Sequence, residues 1–238
     1  MRRQLLALAL ATASGLGAAT GGARAESPVV VELFTSQGCS SCPSADELLG
    51  KLAQRDDVIA LALHVDYWDY IGWKDSFAKP AWTKRQKAYA KAAGRRMIYT
   101  PQMIVGGQED VVGNHPMDVV ELIDSHSDAA PRARLSLSRS GDRLRIEVAP
   151  DSGGARDAVV QLVHYRPKAT VDVKRGENAG KRLTYHNIVE RWEEVGQWSG
   201  RASESFEVPL SDDLPAVVIV QVARMGPVLA AERVAAAR

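Results

Sequence analysis

The chain has 238 residues, and its 30 lysines and arginines nearly balance 29 aspartates and glutamates, for a net charge of +1. That balance leaves no basic footprint for nucleic acid, and no stretch beyond residue 25 is long and apolar enough to span a bilayer. The length suits one large domain or two small ones with cores of their own.

Residues 1–25 carry two early arginines, an apolar Leu and Ala run, and a small-x-small ending at Ala23-Arg24-Ala25. This is the layout of a cleavable secretory signal, and it is set apart from the fold. Cleavage near Ala25 removes Arg2, Arg3 and Arg24, moves the charge from +1 to −2, and implies a periplasmic or secreted protein. In such an oxidising compartment two chance free thiols do not persist. Cys39 and Cys42, the only cysteines, are therefore expected to cycle or to stay oxidised.

Val29 to Phe34 and Val58 to Val65 are nearly continuous apolar runs, the pattern of strands buried on both faces. Between them Ala45, Leu48, Leu49, Leu52 and Ala53 recur at helical spacing, with Ser44-x-x-Glu47 as a capping-box pattern at the start. After Val65 comes an aromatic and acidic loop, then a helix from Pro80 to Ala93 stopped by Gly94. Tyr99 to Val105 reads as a third strand, Gly106-Gly107 as a turn, Glu109 to Gly113 as a fourth strand, and Pro116 to about Ser125 as a helix. From residue 131 onward, segments such as RARLSLS, DRLRIEVAP, AVVQLVHYR, ATVDVK and AVVIVQVAR alternate apolar and polar residues at period two. About seven or eight such strands predict a β-rich, sandwich-like region over 131–238, following a domain over 26–130.

Residues 28 to 126 resemble the thioredoxin superfamily. The resemblance rests on Cys39-Ser40-Ser41-Cys42 after a first strand, on the strand-helix-strand order, and on Thr100-Pro101 opening the third strand. It implies an α/β thioredoxin-like domain, and a cis proline at Pro101 that packs beside the cysteines and offers the Thr100 backbone to an extended peptide. The whole chain after the leader, including "HVDYWDYIGWKD", "YTPQMIVGG" and "RGENAGKRLTYHNIV", resembles the secreted bacterial family catalogued as domain-of-unknown-function family 1223. That likeness implies export and brings no established reaction.

The chemistry rests on the cysteine pair. At i, i+3 before a helix the sulfurs can meet, and unpaired backbone N–H groups with the helix dipole favour thiolate. Cys39 then attacks a protein or peptide disulfide and Cys42 resolves the mixed disulfide. No bound cofactor is required, and an unidentified redox partner carries the electrons. Two other readings stay open: Cu(I) on Cys39 and Cys42 in a non-catalytic carrier or interaction module, and an inert local disulfide. A closed zinc site would need four ligands, which the pair does not supply.

Around it, Ser40, Ser41, Asp66, Tyr67, Trp68 and Trp73 are candidates for a substrate groove or an aromatic lid, and Glu32 for a proton relay to the second cysteine. His64 reads as a strand-end histidine rather than a general base. Arg175 to Lys181 reads as a hairpin loop or a segment reaching over the cysteine site.

Overall fold

A computed structural model describes residues 27–129, 132–151, 156–210 and 213–235. The expected signal segment lies outside the described residues. Strand β1 (Val29–Thr35) leads to α1 (Pro43–Leu52), β2 (Val58–His64) and α2 (Pro80–Ala92). Strands β3 (Gln102–Val105) and β4 (Glu109–Val112) form a hairpin before α3 (Pro116–Ser127). Strands β5 (Ala133–Ser140), β6 (Arg143–Pro150), β7 (Ala158–Asp172), β8 (Arg182–Trp198), β9 (Glu204–Pro209), β10 (Ala216–Val222) and β11 (Val228–Arg233) complete the described chain.

Eight of these strands make one mixed sheet in the order β11-β10-β7-β8-β2-β1-β3-β4, and β5-β6-β9 make a second, small sheet. This corrects the expectation of an α/β thioredoxin-like domain followed by a β-rich, sandwich-like domain. Of the described residues 44% lie in strands and 19% in helices, so the molecule is mostly β. The physical reason is the outer edge of β2. Its seven residues are all buried, and a buried edge cannot leave its N–H and C=O groups unpaired. Strand β8 meets that edge through the parallel pair Ala62 and Ile188, and the Asn187 amide donates to the Ala60 carbonyl at 2.9 Å.

The sheet also curls. Val228 of β11 donates its N–H to the Gly106 carbonyl after β3, and Ala231 donates to the Ser27 hydroxyl before β1. The hollow holds α2 and a core of Phe34, Leu61, Leu63, Trp82, Val163, Val189 and Ile219. On the other face, α1 and α3 cover Val31, Leu33, Ala60 and Met103 through Leu49 and Ile123. A third core lies between the small sheet and the late strands, with Ile146, Val160 and Val218 at its centre.

Candidate active site

The cysteines lie where β1 runs into α1. Past Thr35 the chain turns tightly: Gly38 donates to the Ser36 hydroxyl at 3.1 Å, and Cys39 to the Ser36 carbonyl at 3.1 Å. Cys42 caps α1, its carbonyl accepting from Ala45 at 2.9 Å and Asp46 at 3.0 Å, with Pro43 as the first helical residue. Proline suits that position because its missing N–H would have no partner there. The helix thus starts before the expected Ser44 cap, and the Ser44 hydroxyl instead reaches the Ser41 carbonyl at 3.4 Å. Cys39 and Cys42 are joined as a disulfide, with Cα atoms 5.4 Å apart. Both are buried, whereas Ser40 and Ser41 between them are exposed. The Ser41 hydroxyl lies 3.4 Å from the Cys39 sulfur.

Gln37, fully buried, organises the wall of the site. Its N–H donates to Asp75 at 2.8 Å, its side-chain amide to the Ser76 hydroxyl at 3.1 Å, and its side-chain oxygen accepts from the Trp73 indole at 2.8 Å. Asn178, from the loop between β7 and β8, donates to the Gln37 and Cys39 carbonyls, both at 2.9 Å. The segment 175–181 therefore reaches the cysteine loop. A Cβ on Gly38 would come within 3.2 Å of Ile71 and 3.3 Å of Trp68, so the aromatic loop packs directly against the turn. Trp68 donates its indole N–H to the Thr100 hydroxyl at 2.7 Å. The Thr100–Pro101 bond is cis, and the Pro101 carbonyl accepts from Gly113 at 3.0 Å. Pro101 and Ala45 of α1 flank Gly113, each about as close to a Cβ there as packing permits.

Trp68 and Trp73 thus brace the cysteine turn. Asp66 accepts from the Thr83 hydroxyl of α2, and Tyr67 packs beside Trp68 on the core within the hollow. Burial pushes the Tyr67 phenol up. Glu32 lies away from the pair. It is 1% exposed, takes a two-pronged ion pair from Arg85 at 2.6 and 2.8 Å, and accepts from Tyr89 at 2.6 Å, all on the α2 face of the sheet. Strand residues alternate faces, so Leu33 and Thr35, not Glu32, point toward α1.

A buried ionisable cluster lies on the α1 face, and of its members only His64 was singled out from sequence. Asp46 follows Cys42 by four residues, hence on the same helix face. Its two carboxyl oxygens are buried and make no hydrogen bond. Burial pushes its pKa from 3.8 up to about 7, against an opposing pull from His64 and the Thr35 hydroxyl. The Thr35 oxygen is itself without a hydrogen bond, so it tempers the shift without closing a normal bond to Asp46. His64, paired in register with Thr35, bonds Asp75 at 2.7 Å, and Asp75 is the same carboxylate that holds Gln37. Tyr185 of β8 packs edge-on against His64, and its phenol is pushed up by burial, with Asp46 and Asp75 adding to the effect. The i, i+4 spacing of Cys42 and Asp46 was the legible signal for the acid; the convergence of Asp75 and Tyr185 was not.

Among the described residues no group of three or more His, Cys, Asp or Glu gathers as a metal cage. No helix of the described chain is long and apolar enough to cross a membrane.

A family model described as a protein of unknown function, DUF1223, matches residues 30–222. The chain belongs to the DUF1223 family. Among solved structures, this DUF1223 chain is similar to a crystal structure of a protein from Agrobacterium tumefaciens. The two are 33% identical with a TM-score of 0.77, over 89% of this chain and 96% of that one. It is similar in fold to HBP35 of Porphyromonas gingivalis, at 16% identity and a TM-score of 0.61, over 88% of this chain and 75% of that one. No curated protein matches it.

Proposed function

We propose that this DUF1223 protein is exported and performs thiol-disulfide exchange on protein or peptide substrates through Cys39 and Cys42. The observation that carries the reading is the disulfide pair at the start of α1, with Cys42 as its N-cap and Asp46, a buried carboxyl without a hydrogen bond, one helical turn beyond. A substrate thiolate attacks the Cys39 sulfur, the Cys39–Cys42 bond breaks, and Cys42 takes the electron pair and a proton. In the opposite direction Cys42 gives up that proton and attacks the mixed disulfide on Cys39. Asp46, one helical turn beyond Cys42, is the group suited to hold the proton in either direction. Cys39 as a residue is 2% exposed against 0% for Cys42, which supports its role as the attacked cysteine.

The test is a trapping experiment. Cys42→Ser, with Cys39 free, is expected to accumulate a mixed disulfide with a cysteine-containing peptide disulfide, seen by mass. Cys39→Ser is expected to form far less. An absence of adduct on Cys42→Ser would sink the proposal, and stoichiometric Cu(I) uptake by the reduced protein in its place would favour the carrier.

A further inference from the structure

The loop between β7 and β8 holds two charges by hydrogen bonds near the cysteine turn, the Glu177 carboxylate and the Lys181 ammonium. It is closed by hydrogen bonds from Val173 to the Lys181 carbonyl at 2.9 Å and from Gly180 to the Val173 carbonyl at 2.8 Å. Gly176, at φ 75°, packs so closely on the aromatic loop that a Cβ there would lie 3.3 Å from Trp73. Asn178, fully buried, is pinned from both ends: its amide donates to the Gln37 and Cys39 carbonyls, and its oxygen accepts from the Lys181 ammonium at 2.8 Å. Beside this anchor stands Glu177, exposed, with a carboxylate oxygen 3.3 Å from the Ser40 N–H. Ser40, exposed, directly follows Cys39, so the carboxylate stands on the exposed rim of the turn that holds the buried disulfide.

We infer that Glu177 is a specificity-determining residue of the exchange site, selecting against anionic thiols and for cationic ones, such as cysteines in basic peptide segments. The inference rests on the exchange reading above. Like charges repel an approaching thiolate in proportion to its total charge. A thiolate that also bears a carboxylate meets more repulsion than one that bears an ammonium. The carboxylate also occupies a backbone N–H beside Cys39, a donor that would otherwise favour negative charge there.

The experiment compares reduction of the wild-type disulfide and of Glu177→Gln by glutathione, which is anionic, and by cysteamine, which is cationic. In both cases two thiols become one small disulfide, and the protein disulfide takes up two electrons and two protons. Each thiol serves as its own reference, so differences in intrinsic reactivity cancel, as does the unchanged Lys181 charge. At low ionic strength the cysteamine-to-glutathione rate ratio is expected to fall by roughly threefold in Glu177→Gln, the scale of one exposed charge at short range, and the difference is expected to vanish in 1 M salt, where the screening length is about 3 Å. An unchanged ratio in a protein that both thiols reduce would overturn the inference alone. A wild-type disulfide that neither thiol reduces would overturn the exchange reading and the inference with it.

Discussion

Asp46 is held in the interior with both carboxyl oxygens unbonded, and this has a consequence for stability that is separate from catalysis. Its folded pKa of about 7 lies above the ordinary 3.8. The folded protein therefore holds a proton that the unfolded chain releases, and stability is complete below about pH 4 and lost as pH rises toward 7. The cost reaches about 4 kcal/mol in the limit of a shift of about three units. Asp46→Asn removes the titration. Denaturant unfolding of the two proteins is expected to show the variant gaining on the parent from pH 4 to pH 8 and level thereafter; parallel pH profiles would assign the carboxyl elsewhere. The same substitution is expected to slow resolution of the mixed disulfide at pH 7 by about tenfold or more, because Cys42 loses its proton acceptor. At Asn178, substitution by Ala strips a donor from two buried carbonyls, at a cost of roughly 1–3 kcal/mol. That loss is read as a lower urea midpoint.

The helix α2 and strand β1 meet through charge rather than through apolar side chains alone. Arg85 joins Glu32, Tyr89 and Gln221 by hydrogen bonds and stacks 3.7 Å from the centre of the Trp192 ring. Removing one partner of a buried pair leaves the other charge uncompensated, so Arg85→Ala is expected to cost about 3–5 kcal/mol in denaturant unfolding. The network lies on the far face of the sheet from α1, so the variant's cysteine redox equilibrium is expected to stay close to that of the parent. A large change in that equilibrium would mean that the two faces are coupled. At this scale the elements of the first half were legible, because continuous apolar runs specify β1 and β2 and a 3.6-residue stripe specifies α1. Glu32, the relay candidate, instead pairs with Arg85 and Tyr89, because residues alternate faces along β1 and its position faces α2. In the second half AVVQLVHYR and ATVDVK, two strands by their pattern, run together as far as Asp172 in β7, across Pro167. Strand β11 went unread, since VLAAER has little alternation to mark it.

Across the whole molecule, the second half completes the first. Val163, Val189, Val217 and Ile219 from the late strands pack with Phe34, Leu61 and Leu63 in one core, and Asn178 fastens the late hairpin to the cysteine turn. A fragment of residues 27–130 is therefore expected to lack a cooperative unfolding transition, while the full chain melts cooperatively; a fragment that melts sharply alone would show that the early elements suffice. This dependence was invisible in sequence because strand pairing is set between residues far apart, as with Ala62 and Ile188, and local periodicity carries no address for a distant partner. The cysteine pair was legible because its chemistry is local. Exchange requires that the pair be a working redox couple. The most direct measurement equilibrates the protein in graded glutathione buffers and reads the fraction of alkylated Cys39 and Cys42 by mass. A reversible transition between disulfide and dithiol, the same from either direction, is the expected result. A bond that stays closed across the whole series, or thiols that never re-form it, would contradict the proposed exchange.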